Sequence, residues 1–386
     1  MSRAQDIPAQ VDVAIVGGGI IGLAVAAELA ERGRDVIVFD DAARAGNSTR
    51  AAAGMLAPAA EADVELPGLC EFRQWSHGLY PDFVAHVEAR SGIDTGFRTA
   101  GTLLVAVDRD HRAEIERLGA IMTSQGFTPR ALSAGELLAL EPSLSPRVAG
   151  GLLLSQDFHI DQRRLLQALR LAVERRSERR LQDVTVESVG PDGAVVGRRA
   201  TGEPFETGAQ QVVVAAGSWS NVGLQSPCAP LPLRPVKGQV LRLQAPGLLT
   251  RVVRTPDVYL VPHAGGEIVV GATVEEQGFD VRPTAGGVFD LLRHAWRVLP
   301  GIYDTPLVEV AVGLRPCSRD HRPLIGRVRG SVFAATGHFR NGVLLAPGTA
   351  RLLALLLCDG VAHPLQAHFD PQRFVLPAAA SAGGGS

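Results

Sequence analysis

The sequence predicts an α/β fold in which a Rossmann-like nucleotide-binding unit is interleaved with an antiparallel-sheet unit. Three observations carry this: a strand, glycine turn, helix and strand in succession at the front; a middle region of short alternating strands; and a buried strand with a long apolar helix near the end. With 386 residues the chain exceeds what one small core needs and has room for two interlocked domains. Hydrophobic residues make up 46% and charged residues 20%, the balance of a globular protein and not of a disordered or fibrous one. The net charge of −2 is spread without blocks, which leaves no electrostatic footprint for nucleic acid or anionic lipid and points to a small-molecule partner.

The front unit reads VDVAIVGGGIIGLAVAAELAERGRDVIVFD, residues 11–40. An apolar run suited to a buried strand ends in Gly17, Gly18 and Gly19, and a helix-period segment with Leu23, Ala26, Ala27 and Ala30 runs on to Gly33 before the second strand. Gly17, Gly19 and Gly22 form GxGxxG, whose glycines serve a tight turn, close approach of backbone to a pyrophosphate and close helix packing. The helix N-terminus then faces the phosphates. Asp40 closes the second strand, where a carboxylate accepts hydrogen bonds from the ribose hydroxyls of an adenosine.

The next segment, RAGNSTRAAAGMLAP at 44–58, is dense in small residues headed by Ser48 and Thr49. It is unlike an NAD site and could lie flat along a planar ring system; its plainer reading is a small-residue helix start or loop. Beyond it, residues 71–92 read as one helix, GTLLVAV as a strand, and residues 111–126 and 161–180 as amphipathic helices. The arginines of the last of these are expected on a solvated outer face. Short strands follow and end in QQVVVAAGSWS, a buried strand whose C-terminal end should return to the cofactor. VKGQVLRL, VYLVPH, EIVVGATV and VEVAVGL alternate like an antiparallel sheet covering a site with one face.

The closing stretch, SVFAATGHFRNGVLLAP, puts backbone amides and a positive helix end toward whatever lies above the turn. Gly337 and Gly342 allow close approach, and the planar guanidinium of Arg340 can take a carboxylate with two parallel hydrogen bonds. The plainer reading of Arg340 is a pair with a buried acid of the protein itself.

The GxGxxG unit, STRAAAGMLAP, VVVAAGSWS, VGLRP and GHFRNGVLLAP stand in the order seen in the glycine oxidase branch of the D-amino-acid oxidase family, which the chain resembles over nearly its whole length. The resemblance implies a Rossmann-like FAD-binding domain interleaved with an antiparallel-sheet substrate-binding domain, D-amino-acid oxidase-like. The expected FAD segments are 11–85, 145–222 and 322–376, and the substrate segments 86–144 and 223–321, with 377–386 as a disordered tail. It implies non-covalent FAD held by Gly17, Gly19, Ile20, Ile21, Gly22, Asp40, Asp41, Ser48, Thr49, Ala53, Gly54, Met55, Val186, Gly217, His338, Phe339, Arg340, Asn341, Gly342, Val343 and Leu344. Sarcosine oxidases of the family attach FAD to a cysteine where this chain has Gly313, with Cys317 nearby but offset.

Arg340, Arg315 of VGLRP and Tyr259 of VYLVPH match the family's substrate-orienting residues, while His338 reads as a packed neighbour and not as an acid or base. A structural salt bridge is the plainer reading of Arg315, and a half-buried strand aromatic that of Tyr259. Two departures, Val274 for a pocket methionine and Asp257 where some relatives carry His, bear on pocket size and polarity. The implied reaction is oxidative deamination of glycine, sarcosine and small D-amino acids with oxygen as acceptor and hydrogen peroxide as product, linked to thiamine thiazole assembly. A quinone-linked D-amino-acid dehydrogenase and a non-catalytic flavin-binding subunit are the alternatives. The likeness also suggests a homo-oligomer, a homotetramer. Four dispersed cysteines without a CxxC pair, and an N-terminus without an apolar h-region, lead to the expectation of reduced thiols, no metal and a cytoplasmic protein.

Overall fold

The structure is a computed structural model, and it describes residues 7–61, 66, 68–175, 181–221 and 230–374. The tail at 377–386 and Cys228 lie outside the described residues. The elements run β1 (Gln10–Val16), α1 (Ile20–Glu31), β2 (Val36–Asp40), α2 (Ser48–Ala51), β3 (Met55–Leu56), α3 (Leu69–Gly78), α4 (Tyr80–Ser91), β4 (Thr102–Ala106), α5 (Arg109–Ser124), β5 (Arg130–Leu132), α6 (Ala134–Leu140), β6 (Gly150–Leu154), β7 (Phe158–His159) and α7 (Gln162–Glu174). They continue as β8 (Leu181–Val189), β9 (Ala194–Arg199), β10 (Pro204–Val214), β11 (Leu233–Gln244), β12 (Val252–Arg254), β13 (Tyr259–Pro262), β14 (Glu267–Gly271), α8 (Ala285–Val298), β15 (Leu307–Ser318), β16 (Leu324–Arg329), β17 (Val332–Thr336) and α9 (Gly342–Cys358).

Two large sheets divide the labour. The first has the order β1-β2-β8-β9-β10-β17-β16, with β1 also paired to β10. Its β2, β1, β10 and β17 run parallel and point their C-terminal ends the same way, as a nucleotide-binding sheet requires. Strands buried on both faces read as continuous apolar runs, and β1 and β2 do so because α1, α7 and α9 cover one side. The second sheet, β15-β11-β14-β13-β12-β4-β6-β5, packs on α6 and α8 through its own core of Leu241, Leu260, Val270, Leu291 and Val298.

The structure corrects the sequence reading at four points. The segment 71–92 is two helices, α3 and α4, that meet at Leu79. The second sheet is not wholly antiparallel, since β4 and β12 pair in parallel. Strand β6, which falls within 145–222, belongs to the second sheet between β4 and β5. Nor are the arginines of α7 simply solvated: Arg163 makes a two-pronged pair with Glu309 of β15 and donates to the Arg50 carbonyl. That helix thus braces the small-residue segment against the second sheet.

Helix α9 carries Pro347 in its interior. Proline removes one helical donor, and the ring disturbs the carbonyl four residues earlier. The freed Val343 carbonyl accepts from the Tyr80 hydroxyl. Ser76 Oγ donates to the Leu344 carbonyl and accepts from Gly348 N–H at 2.7 and 3.0 Å. Helices α3 and α4 therefore fix the first turn of α9, which is the turn that reaches the site.

Candidate active site

A cleft of about 380 Å³ is lined from both sheets. Its lining includes Gly17, Gly19, Ile20, Ile21, Asp40, Asp41 and Val186, with Ser48, Thr49, Ala53, Gly54, Met55, Gly217 and the run from His338 to Leu344. Every proposed cofactor residue thus lines one surface except Gly22. That glycine sits inside α1 against the Gly17 carbonyl, where a Cβ would collide, so its part is helix packing.

The local geometry explains these placements. Gly17 has φ of +114°, which opens the turn between β1 and α1. Asp40 accepts from Gly18 N–H at 2.9 Å through one oxygen and so closes that turn as well as facing the cleft. Thr49 Oγ1 accepts from Ile20 N–H at 3.2 Å, so the first amide of α1 already has a protein partner. Asn47 caps α2 by accepting from Thr49 and Arg50. Asn341 offers α9 no side-chain cap, and the amide end of α9 faces the cleft through Gly342, Val343 and Leu344.

This surface fits a long, flat dinucleotide. A Cβ at Gly19 would meet only Thr49 Oγ1, at 3.4 Å, and one at Gly217 would meet nothing within 4 Å, so the backbone at both points is open to a ligand. The Ser218 hydroxyl donates to the Leu314 carbonyl at 2.9 Å, tying the end of β10 to the second sheet.

In the same lining Tyr259, Arg315 and Arg340 converge with two residues that the sequence reading did not single out, Glu61 and Arg254. Arg315 donates to the carbonyls of Thr273 and Lys237 at 3.0 and 3.3 Å and lies near the Tyr259 phenol. Among the described residues no carboxylate lies within ion-pair distance of Arg315 or Arg340. Arg340 instead stacks on the Phe339 ring, its Cζ 5.1 Å from the centroid. Phe339 adopts a left-handed φ of +49° and donates to the Pro316 carbonyl at 2.9 Å, which sets the direction in which Arg340 leaves the chain.

Electrostatics divide these groups by task. Burial raises the Tyr259 phenol, against Arg315 and Arg254, so it stays a protonated donor. Burial would also raise the Glu61 carboxyl, but Arg254, Arg73 and Arg340 together hold it below its ordinary value. Arg254 Nη1 lies 2.7 Å from Glu61 Oε1, and Arg73 donates to the Glu61 carbonyl. His338 is pushed down to about 3 by burial and shares a 2.9 Å hydrogen bond with Thr349, so it is a neutral packed ring, as read from the sequence. Asp257 lines the cleft, with its Oδ2 3.1 Å from both His111 and His294, and Val274 sits at the exposed rim. No periodicity or motif marked Glu61; Arg254 is separated from Tyr259 by a turn, and only the β12–β13 pairing sets them side by side.

The family model described as FAD dependent oxidoreductase matches residues 12–356. This chain belongs to that family. FAD is its cofactor, and the glycine turn, the small-residue segment and the first turn of α9 are the parts that would hold it. The chain is 35% identical over 376 residues to the bifunctional protein ThiO/ThiG of Trichormus variabilis, which covers 94% of this chain and 55% of that protein. It therefore spans about half the length of that relative. To the glycine oxidase of Bacillus licheniformis it is 32% identical, over 89% of this chain and 92% of the relative. The crystal structure of glycine oxidase from Geobacillus kaustophilus superposes with a TM-score of 0.84 at 31% identity, covering 96% of this chain and 100% of that one. No helix among the described residues is long and apolar enough to cross a membrane.

Proposed function

We propose that this protein is an FAD-dependent oxidase of glycine, with sarcosine and small D-amino acids as further substrates, forming the imine or 2-oxo acid, ammonia (methylamine from sarcosine) and hydrogen peroxide. The observation that carries this reading is the pair of guanidinium groups, Arg315 and Arg340, lining the cleft beside Tyr259 with no carboxylate within ion-pair distance of either among the described residues. An amino-acid carboxylate supplies that counter-charge, and two planar forks with a phenol donor fix its orientation. Bound FAD supplies the acceptor for the hydride that leaves the α-carbon. Arg315, Arg340 and Tyr259 hold the carboxylate so that the α-carbon stays in one place, which converts an encounter into an intramolecular geometry. His338 moves no proton, because burial keeps it neutral. The likeness to ThiO/ThiG proteins supports supply of glycine imine to thiamine thiazole assembly as the role.

Anaerobic mixing with glycine, sarcosine, D-alanine or D-proline should bleach the flavin, and air should then restore it with release of peroxide. If none of them bleaches it, the reading fails. Bleaching that is reversed by a quinone but not by air would make the protein a dehydrogenase.

A further inference from the structure

An amino acid presents two ends, and the cleft has a group for each. Four acidic residues line it. Asp40 accepts from Gly18 of the glycine turn, Asp41 pairs with Arg44, and Asp257 faces His111 and His294. Glu61 is the acid among Tyr259, Arg315 and Arg340.

We propose that Glu61 binds the amino group of the substrate, accepting a hydrogen bond from it while Arg315, Arg340 and Tyr259 hold the carboxylate. This rests on the amino-acid oxidase reading and adds a residue to it. An amino group donates both as the ammonium and as the neutral amine, so the contact survives loss of the substrate's proton. Arg254 occupies Oε1 at 2.7 Å, and Oε2 has no hydrogen-bond partner among the described residues. An ionised carboxylate can accept about four hydrogen bonds, so its capacity is far from filled. The side chain is 19% exposed, and it lines the cleft.

Its position is also fixed from behind. Arg73, itself only 4% exposed, donates to the Glu61 carbonyl, and the fully buried Asp157 accepts from Ala59 N–H at 3.2 Å. Three arginines around Glu61 keep it ionised. A rigid, charged acceptor beside two cations matches the charge pattern of a zwitterion.

The competing role is neutralisation of Arg254 alone, and the two roles separate experimentally. Glu61→Gln, loaded with FAD, is compared with the unaltered enzyme in two titrations: anaerobic flavin reduction by glycine, and binding of acetate, which has a carboxylate and no amine, followed by the flavin absorption change. The half-saturating glycine concentration should rise roughly ten- to a hundred-fold, the worth of one charge-assisted hydrogen bond. Acetate should bind as tightly or more tightly, since the pocket loses a negative charge. Equal weakening of both ligands, or unchanged glycine, overturns the proposal. So does recovery of glycine in Glu61→Gln with Arg254→Met, the result that simple neutralisation requires. Where Glu61→Gln does not retain FAD, Glu61→Asp keeps the charge with a shorter reach and should weaken glycine while leaving acetate unchanged; any other pattern counts against the proposal. Unaltered enzyme that no small amino acid reduces overturns the functional reading itself, a failure distinct from those of Glu61.

Discussion

Gly238 and Arg315 meet diagonally across the β11–β15 ladder, Gly238 paired with Gly313 and Arg315 with Val236, so closely that a Cβ at position 238 would stand 2.5 Å from Arg315 Cζ. The bare backbone of Gly238 is what lets the guanidinium lie over β11, donating to Lys237 and Thr273 carbonyls while keeping its remaining donors for the cleft. Gly238→Ala should therefore displace Arg315 without touching the nucleotide end. Glycine should lose about 1–3 kcal/mol of binding, roughly five- to two-hundred-fold, with FAD content unchanged. Titration of flavin reduction checks it, and an unaltered half-saturation would show that Arg315 is not a substrate contact.

Arg340→Lys keeps the charge and loses the two-pronged fork. A broken, partly desolvated charge contact costs on the order of 2–5 kcal/mol, about thirty-fold to several thousand-fold in kcat/KM. Glycine should suffer this loss, whereas a small amine without a carboxylate should be little affected. The comparison needs equal FAD loading and a carboxylate-free amine that the unaltered enzyme reduces. The same slowing for both substrates would make Arg340 a structural residue.

The flavin should be released intact by acid. Gly313 has no nucleophile, and a Cβ there would stand 2.7 Å from the Ala51 Cβ. Cys317 is fully buried, does not line the cleft, and burial raises its thiol, so it is a poor thiolate. Acid precipitation should leave a colourless pellet and free FAD in the supernatant; a yellow pellet refutes non-covalent binding.

Stability should fall as pH drops below about 6.5. Burial lowers His77 and His159 to about 4 and His338 to about 3, from an ordinary 6.5. As pH falls through 6.5 the unfolded chain takes up protons at these rings while the folded chain does not, so their contribution is full above 6.5 and lost toward 4. Asp157, pushed up to about 7 by burial, acts in the opposite sense between about 4 and 7 and offsets one of the three. The net sign remains with the histidines. Tm measured from pH 7 to 5 should decline toward the acid side; a level or rising Tm would show that these rings are not held neutral.

Much of this was legible along the chain because it depends on local backbone. The β1–α1 turn needs glycines wherever it occurs, α1 must be apolar all round to be buried, and Asp40 stands where β2 ends. Arg340 was legible for a similar reason, since HFRNG is a strand-to-helix turn whose own geometry aims the side chain.

By itself, then, the sequence determined the nucleotide unit, the family and the arginines that could meet a carboxylate, all features set by short-range spacing. Only the tertiary structure decided which arginines of the chain are paired with acids. Arg163 is tied to Glu309 across 146 positions of sequence, and Arg254 to Glu61 across 193, while Arg315 and Arg340 have no such partner among the described residues. The physical reason is that a charge's role depends on what faces it within a few ångströms, and in a chain whose domains interleave those partners come from strands and loops with no common periodicity.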